Sequence, residues 1–472
     1  MNNAIFRLGL CALFACAGTA MAQPVTDTSA EHWRAVSRFG YGPAGLQADG
    51  VQGKAWALQQ LQVATAASRA APRMPAELAS FDEPLPTLFE KFRREREMRS
   101  QGQDETRFSR EVARKAAAWR LAACSRDDVE NPLLARMTEF WFNHLNVFAG
   151  KGAVRPFAGH YVIHAIRPHA LGRYEDLLLS SARHPAMLFY LDQARSVADG
   201  SPMRPGAAGS GGQRARGLNE NYARELMELH TLGVNGGYTQ ADVRALARIL
   251  TGWTVDPRSD GGFRFAPRLH DDGTKTLLGQ HFGNAGVQEG EAAIRLLARH
   301  PATAQRISLR LAQWFVADQP PPALVQRLAQ RYSATQGDIA AVLRTLIESP
   351  ETWATESRLF KTPLDYTCSV LAAAGGIQDE RGLNQALGFL ASAGQPLHGW
   401  QTPDGYKTDS ATWLSPEALS RRADFAFAVG RRLDDARPLQ RWLTPATRTR
   451  IAQEAPALQA GLALASPEYM YK

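Results

Sequence analysis

The 472 residues suffice for one very large domain or two to three packed subdomains. The net charge of +8 is carried almost entirely by arginines spread along the chain, denser only from Arg421 to Arg450. No clustered basic face with interleaved aromatics accompanies them, which argues against nucleic acid and leaves an anionic glycan, a cell-wall polymer or a membrane surface as better matches.

Arg7 is the sole charge in the first 26 residues; an apolar run from Leu8 to Ala17 follows, then Ala20-Met21-Ala22 before Gln23. This is the pattern of a secretory signal cleaved after Ala22. The run is too short for a lasting transmembrane helix, and no later segment is long and apolar enough for one. A lipoprotein reading at Cys16 is disfavoured by bulky Phe14. The expected location is therefore a periplasm or beyond. Cys11 and Cys16 would leave with the signal. Cys124 and Cys368 then remain, either bridged or as two buried thiols.

Apolar spacing of three and four predicts helices over 33–39, 55–63, 87–98, 107–123, 132–148, 158–166 and 174–181, then 221–232, 240–251, 289–298, 302–316, 323–332, 338–348, 363–374, 382–393 and 416–429. In the 132–148 segment, Arg136, Glu139, Asn143 and Asn146 share a polar side. His144 projects among Leu133, Met137, Phe140, Trp141 and Phe148, as a core histidine or a site residue with a shifted pKa. His160-x-x-x-His164 with Arg167 reads as a solvated polar face rather than a metal site, because the arginine opposes a cation.

Two loops flank the next helix. Residues 198–217 are too rich in Gly, Ser and Pro to pack a core. Residues 255–284 are long and hold short strands only around 262–266 and 274–278. Between them stands Asn219-Glu220-Asn221-Tyr222-Ala223-Arg224-Glu225-Leu226-Met227-Glu228. Asn219 is an N-cap and Glu220 favours the helix dipole. Glu220, Arg224 and Glu228 form an i, i+4, i+8 stripe, which an exposed ion-pair ladder explains. Glu225 lies off the stripe and is the better acid or base. His270-Asp271-Asp272-Gly273 reads either as a turn or as a place for a divalent cation. Trp253 and Trp400, each after a glycine, either stack on sugars or fill the core. Nucleophile-elbow, zincin, phosphate-loop and dinucleotide motifs are missing.

Several of these segments together resemble a bacterial family known as domain of unknown function 1800. They are Arg38-Phe39-Gly40-Tyr41-Gly42-Pro43, the stretch Arg136 to His144, Pro185-Ala186-Met187-Leu188 through Asp192, Asn219 to Gly233, Asp242 to Trp253, His270-Asp271 and Gly399-Trp400. The resemblance runs from about residue 30 to about residue 430. It implies export, a large helical domain, and a possible exported partner of alkaline-phosphatase-like fold; it implies no reaction. Phe142 stands where many members carry a second histidine, which weakens any metal site built on that pair.

The expected fold is all-α, a large multi-helix domain with at most a small β-hairpin in the 255–284 loop. The expected division is a signal at 1–22, a helical body at 23–430 (parts 30–130, 131–285 and 286–430) and an arginine-rich helical tail at 431–472. Two functions fit. The first is an envelope hydrolase or lyase acting on a glycan or other polymer, with Glu225, Glu228, His144, Asp192 and Asp271 as catalytic candidates. Trp141, Asn143, Asn219, Arg224 and Trp253 would line its substrate. An i, i+3 carboxylate pair cannot flank a bond from both sides, so Asp192 or Asp271 would have to be the opposing group. The second is a non-catalytic partner or assembly protein for another exported protein. Neither reading names a metal or a cofactor.

Overall fold

Two corners with the same sequence show how this chain makes its elements. Arg183-His184-Pro185-Ala186 and Arg299-His300-Pro301-Ala302 each end one helix and start the next. In both, the histidine takes an extended backbone and its Nδ1 accepts the N–H two residues on, at 3.1 Å. Proline, which has no N–H to lose, fills the first helical position. The two helices that end at these corners, Tyr174–Arg183 and Val287–Arg299, pack antiparallel. Arg299 grips Glu175 at 2.6 and 3.0 Å, and Arg183 pairs with Glu291, so each helix's last arginine meets the other's first turns.

The structure, a computed structural model, describes residues 28–42, 52–102, 107–199, 217–354, 358–440 and 442–472. The expected signal, Pro43 and most of the 198–217 loop lie outside the described residues. Within them the architecture is helical, with two antiparallel two-stranded sheets. Strand β1 (Trp253–Val255) pairs with β2 (Phe263–Phe265), and β3 (Lys275–Leu277) with β4 (Gln280–Phe282). The 255–284 region thus carries two hairpins rather than one. The β3–β4 turn is Leu278-Gly279, both at positive φ (50° and 78°), as a two-residue hairpin turn demands. Leu278 tolerates the conformation while its N–H donates to Asp242 Oδ1 at 2.7 Å. No helix among the described residues is long and apolar enough to cross a membrane.

One buried knot ties the start of the chain to its end. Arg136 donates to Gly40 O (2.6 Å), Ser37 O (3.2 Å) and Asp365 Oδ1 (2.9 Å), and Asp365 also takes Lys472 Nζ. Burial alone would raise the Asp365 pKa, but Arg136 and Lys472 overcome it and bring it to about 2. Backbone bonds between Leu359 and Lys472 and from Lys361 to Met470 O seat the end of the tail beside this knot. A Cys124–Cys368 disulfide joins the Arg107–Ser125 and Pro363–Ala373 helices, with Cα atoms 5.5 Å apart.

The 160–167 stretch is not the solvated face the spacing suggested. Residues Tyr161–Ile166 wind as a π-helix, which turns His160 inward onto His184 Nε2 at 3.0 Å. Arg167 is buried against Glu130, and only His164, paired with Asp82 at 2.6 Å, stays exposed.

Candidate functional site

The central helix begins as expected. Asn219 Oδ1 accepts from Asn221 N (3.0 Å) and Tyr222 N (3.5 Å), while its Nδ2 donates to Leu191 O (2.8 Å), so Asn219 is a cap and a tether. Tyr222, Ala223, Leu226 and Met227 anchor the helix in the core. After Glu225 the helix widens to a π-helix over Leu226–Thr231, a distortion that often marks functional segments. The widening breaks the regular stripe. Arg224 bonds Gln240 (2.8 Å) and approaches Glu220 (3.9 Å) on the exposed side, whereas Glu228 accepts from Tyr238 Oη at 3.3 Å.

The helix end is closed by side chains. Gly233, at φ 86°, turns its N–H back to Met227 O. Arg306 donates Nε and Nη2 to Leu229 O at 3.1 and 3.0 Å. His144 Nε2 donates to His230 O at 3.1 Å, beside the Tyr174 hydroxyl. A carbonyl only accepts, so His144 carries its proton on Nε2. Burial first, then the nearby arginines and His230, push its pKa far below the ordinary range and keep it neutral. His144 is therefore a buried support for the helix, the core alternative of the two.

A carboxylate from another element, Asp404, is among the charges that act on Glu225. Residues 396–409 are strapped onto the Pro132–His144 helix and its exit. Asn143 Nδ2 donates to Tyr406 O (3.0 Å) and its Oδ1 accepts from Tyr406 N (2.8 Å). Asn146 donates to Trp400 O and Thr402 O (3.2 and 2.9 Å), and Tyr190 Oη to Gln401 O (2.8 Å). Asp404 Oδ1 accepts from Trp400 Nε1 (2.9 Å) and Thr402 Oγ1 (2.6 Å), with Lys407 3.5 Å from Oδ2. Partial burial works against its charge, but these donors prevail and hold its pKa below the ordinary carboxylate value. Glu225 is shifted the other way. Burial raises its pKa first, Glu228 adds to the rise, Arg224 opposes it, and the charge of Asp404 raises it further. Among the described residues nothing donates a hydrogen bond to Glu225.

Two guanidiniums one turn apart on the Pro301–Phe315 helix complete the site. Arg306 feels the charge of Glu228 and Arg310 that of Asp404. Burial lowers the pKa of both, and Arg310 has no hydrogen bond or ion pair among the described residues. The half-exposed rings of Trp400 and Tyr406, 4.8 Å apart, edge the loop.

The other expected site residues lie elsewhere. Asp192, at φ 58°, pairs with Lys151 (2.8 Å), and Asp271 is held bidentate by Arg248 (2.7 and 3.0 Å). Neither is among the charges that shift Glu225. His270 is buried against Glu289 at 3.0 Å, and Lys275 meets the same carboxylate at 3.0 Å, so this segment pins a hairpin. Trp141 and Trp253 are fully buried and present no face to a ligand; Trp141 donates to Ala170 O, and Trp253 packs on Phe263 and Gly290. Among the described residues no group of three or more His, Cys, Asp or Glu is placed to hold a metal. Asp404, Arg306, Arg310 and Tyr190 were not anticipated. The one available signal was the turn sequence Thr402-Pro403-Asp404-Gly405, eclipsed by the neighbouring tryptophan.

Gly405 offers a direct test of the loop. It sits at φ 70°, and a Cβ there would lie 2.0 Å from Asn143 O. Gly405→Ala is expected to cost about 2 kcal/mol or more in urea unfolding, from backbone strain plus the clash. Helical Gly388→Ala, with open space around its Cβ, should be neutral or gain up to about 1 kcal/mol. Equal stability of Gly405→Ala and the parent would contradict this geometry.

Fold and site together define a predominantly helical protein that places the carboxylates of a π-widened helix near an aspartate loop and a pair of arginines. The chain belongs to the family described as "Protein of unknown function (DUF1800)", whose model matches residues 34–471. No curated protein and no solved structure matches it.

Proposed function

We propose that this protein is an exported hydrolase of an envelope glycan or related polymer, with Glu225 as general acid and Asp404 as the ionised carboxylate opposite it. The observation that carries the reading is the divergence of the two pKa values. Glu225 is half-buried, without a hydrogen-bond donor among the described residues, and raised; Asp404 is hydrogen-bonded and lowered. Environments that separate two carboxyl groups in this way assign one to give a proton and the other to stay charged. Asp404 stands on a different element from Glu225, as attack and protonation on two sides of a bond require. Arg306 and Arg310 supply positive charge for a developing or resident anion, and Trp400 with Tyr406 supplies ring faces. Export rests on the N-terminal signal pattern.

The test is release of reducing ends from purified envelope polysaccharides by the mature protein. Glu225→Gln and Asp404→Asn are each expected to lower turnover by about 10²–10⁴-fold. Activity should fall at high pH as Glu225 ionises above its raised pKa, and at low pH as Asp404 protonates at its depressed one. Turnover that survives Glu225→Gln removes it from the mechanism. A folded protein inert on every polymer favours instead a non-catalytic partner of another exported protein, the alkaline-phosphatase-like kind included.

A further inference from the structure

A second groove, separate from the Glu225 site, runs between the Leu85–Ser100 helix, the turn at 151–153, residues 188–195 and the β1–β2 hairpin. Its volume is about 1530 Å³ and it is open along one side. Three of the four carboxylates along it are paired with cations, and the fourth, Asp256, accepts only a backbone N–H. Arg93 holds Glu97 at 2.6 Å, Arg94 holds Glu90, Lys151 holds Asp192, and Asp256 accepts the Arg258 N–H at 3.0 Å. Four exposed guanidiniums, of Arg96, Arg195, Arg258 and Arg264, carry no hydrogen bond or ion pair from their side chains among the described residues. They come from three separate segments, the Leu85–Ser100 helix, residues 188–195 and the β1–β2 hairpin, and the part-exposed rings of Phe92 and Phe189 lie among them. Unpaired like charges gathered in one concavity repel one another, and an anion spanning them relieves the repulsion.

We infer that this groove binds an extended acidic glycan, its carboxylates seated on these four guanidiniums and its sugar rings against Phe92 and Phe189. The guanidinium fork matches a carboxylate in two parallel hydrogen bonds. Apolar ring faces between the cations favour a polymer that alternates charge with ring surface over a bare ionic chain. The assignment does not depend on the Glu225 reaction, because binding is read without turnover.

The experiment is titration calorimetry of the full mature chain with three probes: a polymannuronate oligosaccharide, a dextran of matched length and poly(glycerol phosphate). The expected result is saturable binding of the mannuronate that weakens as salt rises, with dextran unbound and the phosphate polymer weaker. The double variant Arg96→Gln/Arg264→Gln should weaken mannuronate binding by about tenfold or more, with thermal unfolding unchanged because both side chains are exposed and unpaired. Arg437→Gln, at a remote exposed ion pair, should bind as the parent does. Failure to bind mannuronate, equal binding of dextran, tighter binding of the phosphate polymer, or an unaltered double variant overturns the assignment.

Discussion

Replacing both Cys124 and Cys368 by serine is expected to lower the unfolding free energy by about 5 kcal/mol, close to the total stability of many domains. The bridge spans 244 residues of sequence, and the entropy removed from an unfolded chain grows with the logarithm of the closed loop. Most of the described core lies between the two cysteines, so the bridge constrains most of the unfolded ensemble. Both cysteines are buried, at 3% and 0% exposure, and sit in helical stretches, residues 116–125 and 363–372, that are buried throughout. The native packing should therefore persist in the double serine variant, with the loss falling on the unfolded side. Urea unfolding with and without reductant, on the parent and the variant, provides the measurement. An unchanged midpoint in the reduced parent would show that the bridge contributes no stability. An oxidising compartment is where such a bridge lasts, which agrees with the proposed export.

The helices were legible because their determinants are local: apolar spacing, capping residues and proline at first positions. The two strand segments were legible for the same reason, but their partners at 253–255 and 280–282 were not, since three-residue strands carry too little alternation to stand out. The π-widening after Glu225 leaves the apolar residues in plausible helical spacing, so nothing in the sequence announces it. Asp404 was missed because nothing local to residues 400–407 announces that Asn143 and Asn146 fasten them in place. His144 and the tryptophans show the reverse limit. Residue type admits both a core and a site role, and only the packing, with Trp141 and Trp253 fully covered, decides between them.

Acid is expected to begin destabilising this protein at about pH 6.5, before its lowered carboxylates Asp365 and Asp404 protonate. His160 and His230 are buried, and each has its pKa brought down to about 3, chiefly by burial. The neighbouring charge of His164 adds to the shift of His160, and Arg306 to that of His230. His144, His184 and His398 are pushed far below the ordinary value for the same first reason. An unfolded histidine takes up its proton below about pH 6.5, whereas these folded ones do not. The unfolded state then binds more protons, and stability falls as pH drops from about 6.5 toward about 3. Each such histidine contributes at most about 1.4 kcal/mol per pH unit. His160 and His230 alone therefore account for about 3 kcal/mol per unit, enough to consume a typical folding free energy by about pH 4.5. Asp365 and Asp404 have lowered pKa values, so their stabilisation is present above the ordinary carboxylate range and is lost only below about pH 4. The histidine window is thus read on its own in urea midpoints measured from pH 7.5 down to pH 4. His230 Nε2 has no hydrogen-bond partner among the described residues, so His230→Leu removes a titrating group without stranding a polar one. That variant should flatten the slope between pH 6.5 and pH 4.5 by about 1.4 kcal/mol per unit. A parent protein equally stable at pH 5 and pH 7 would mean that these histidines reach solvent and are not sealed as the packing requires.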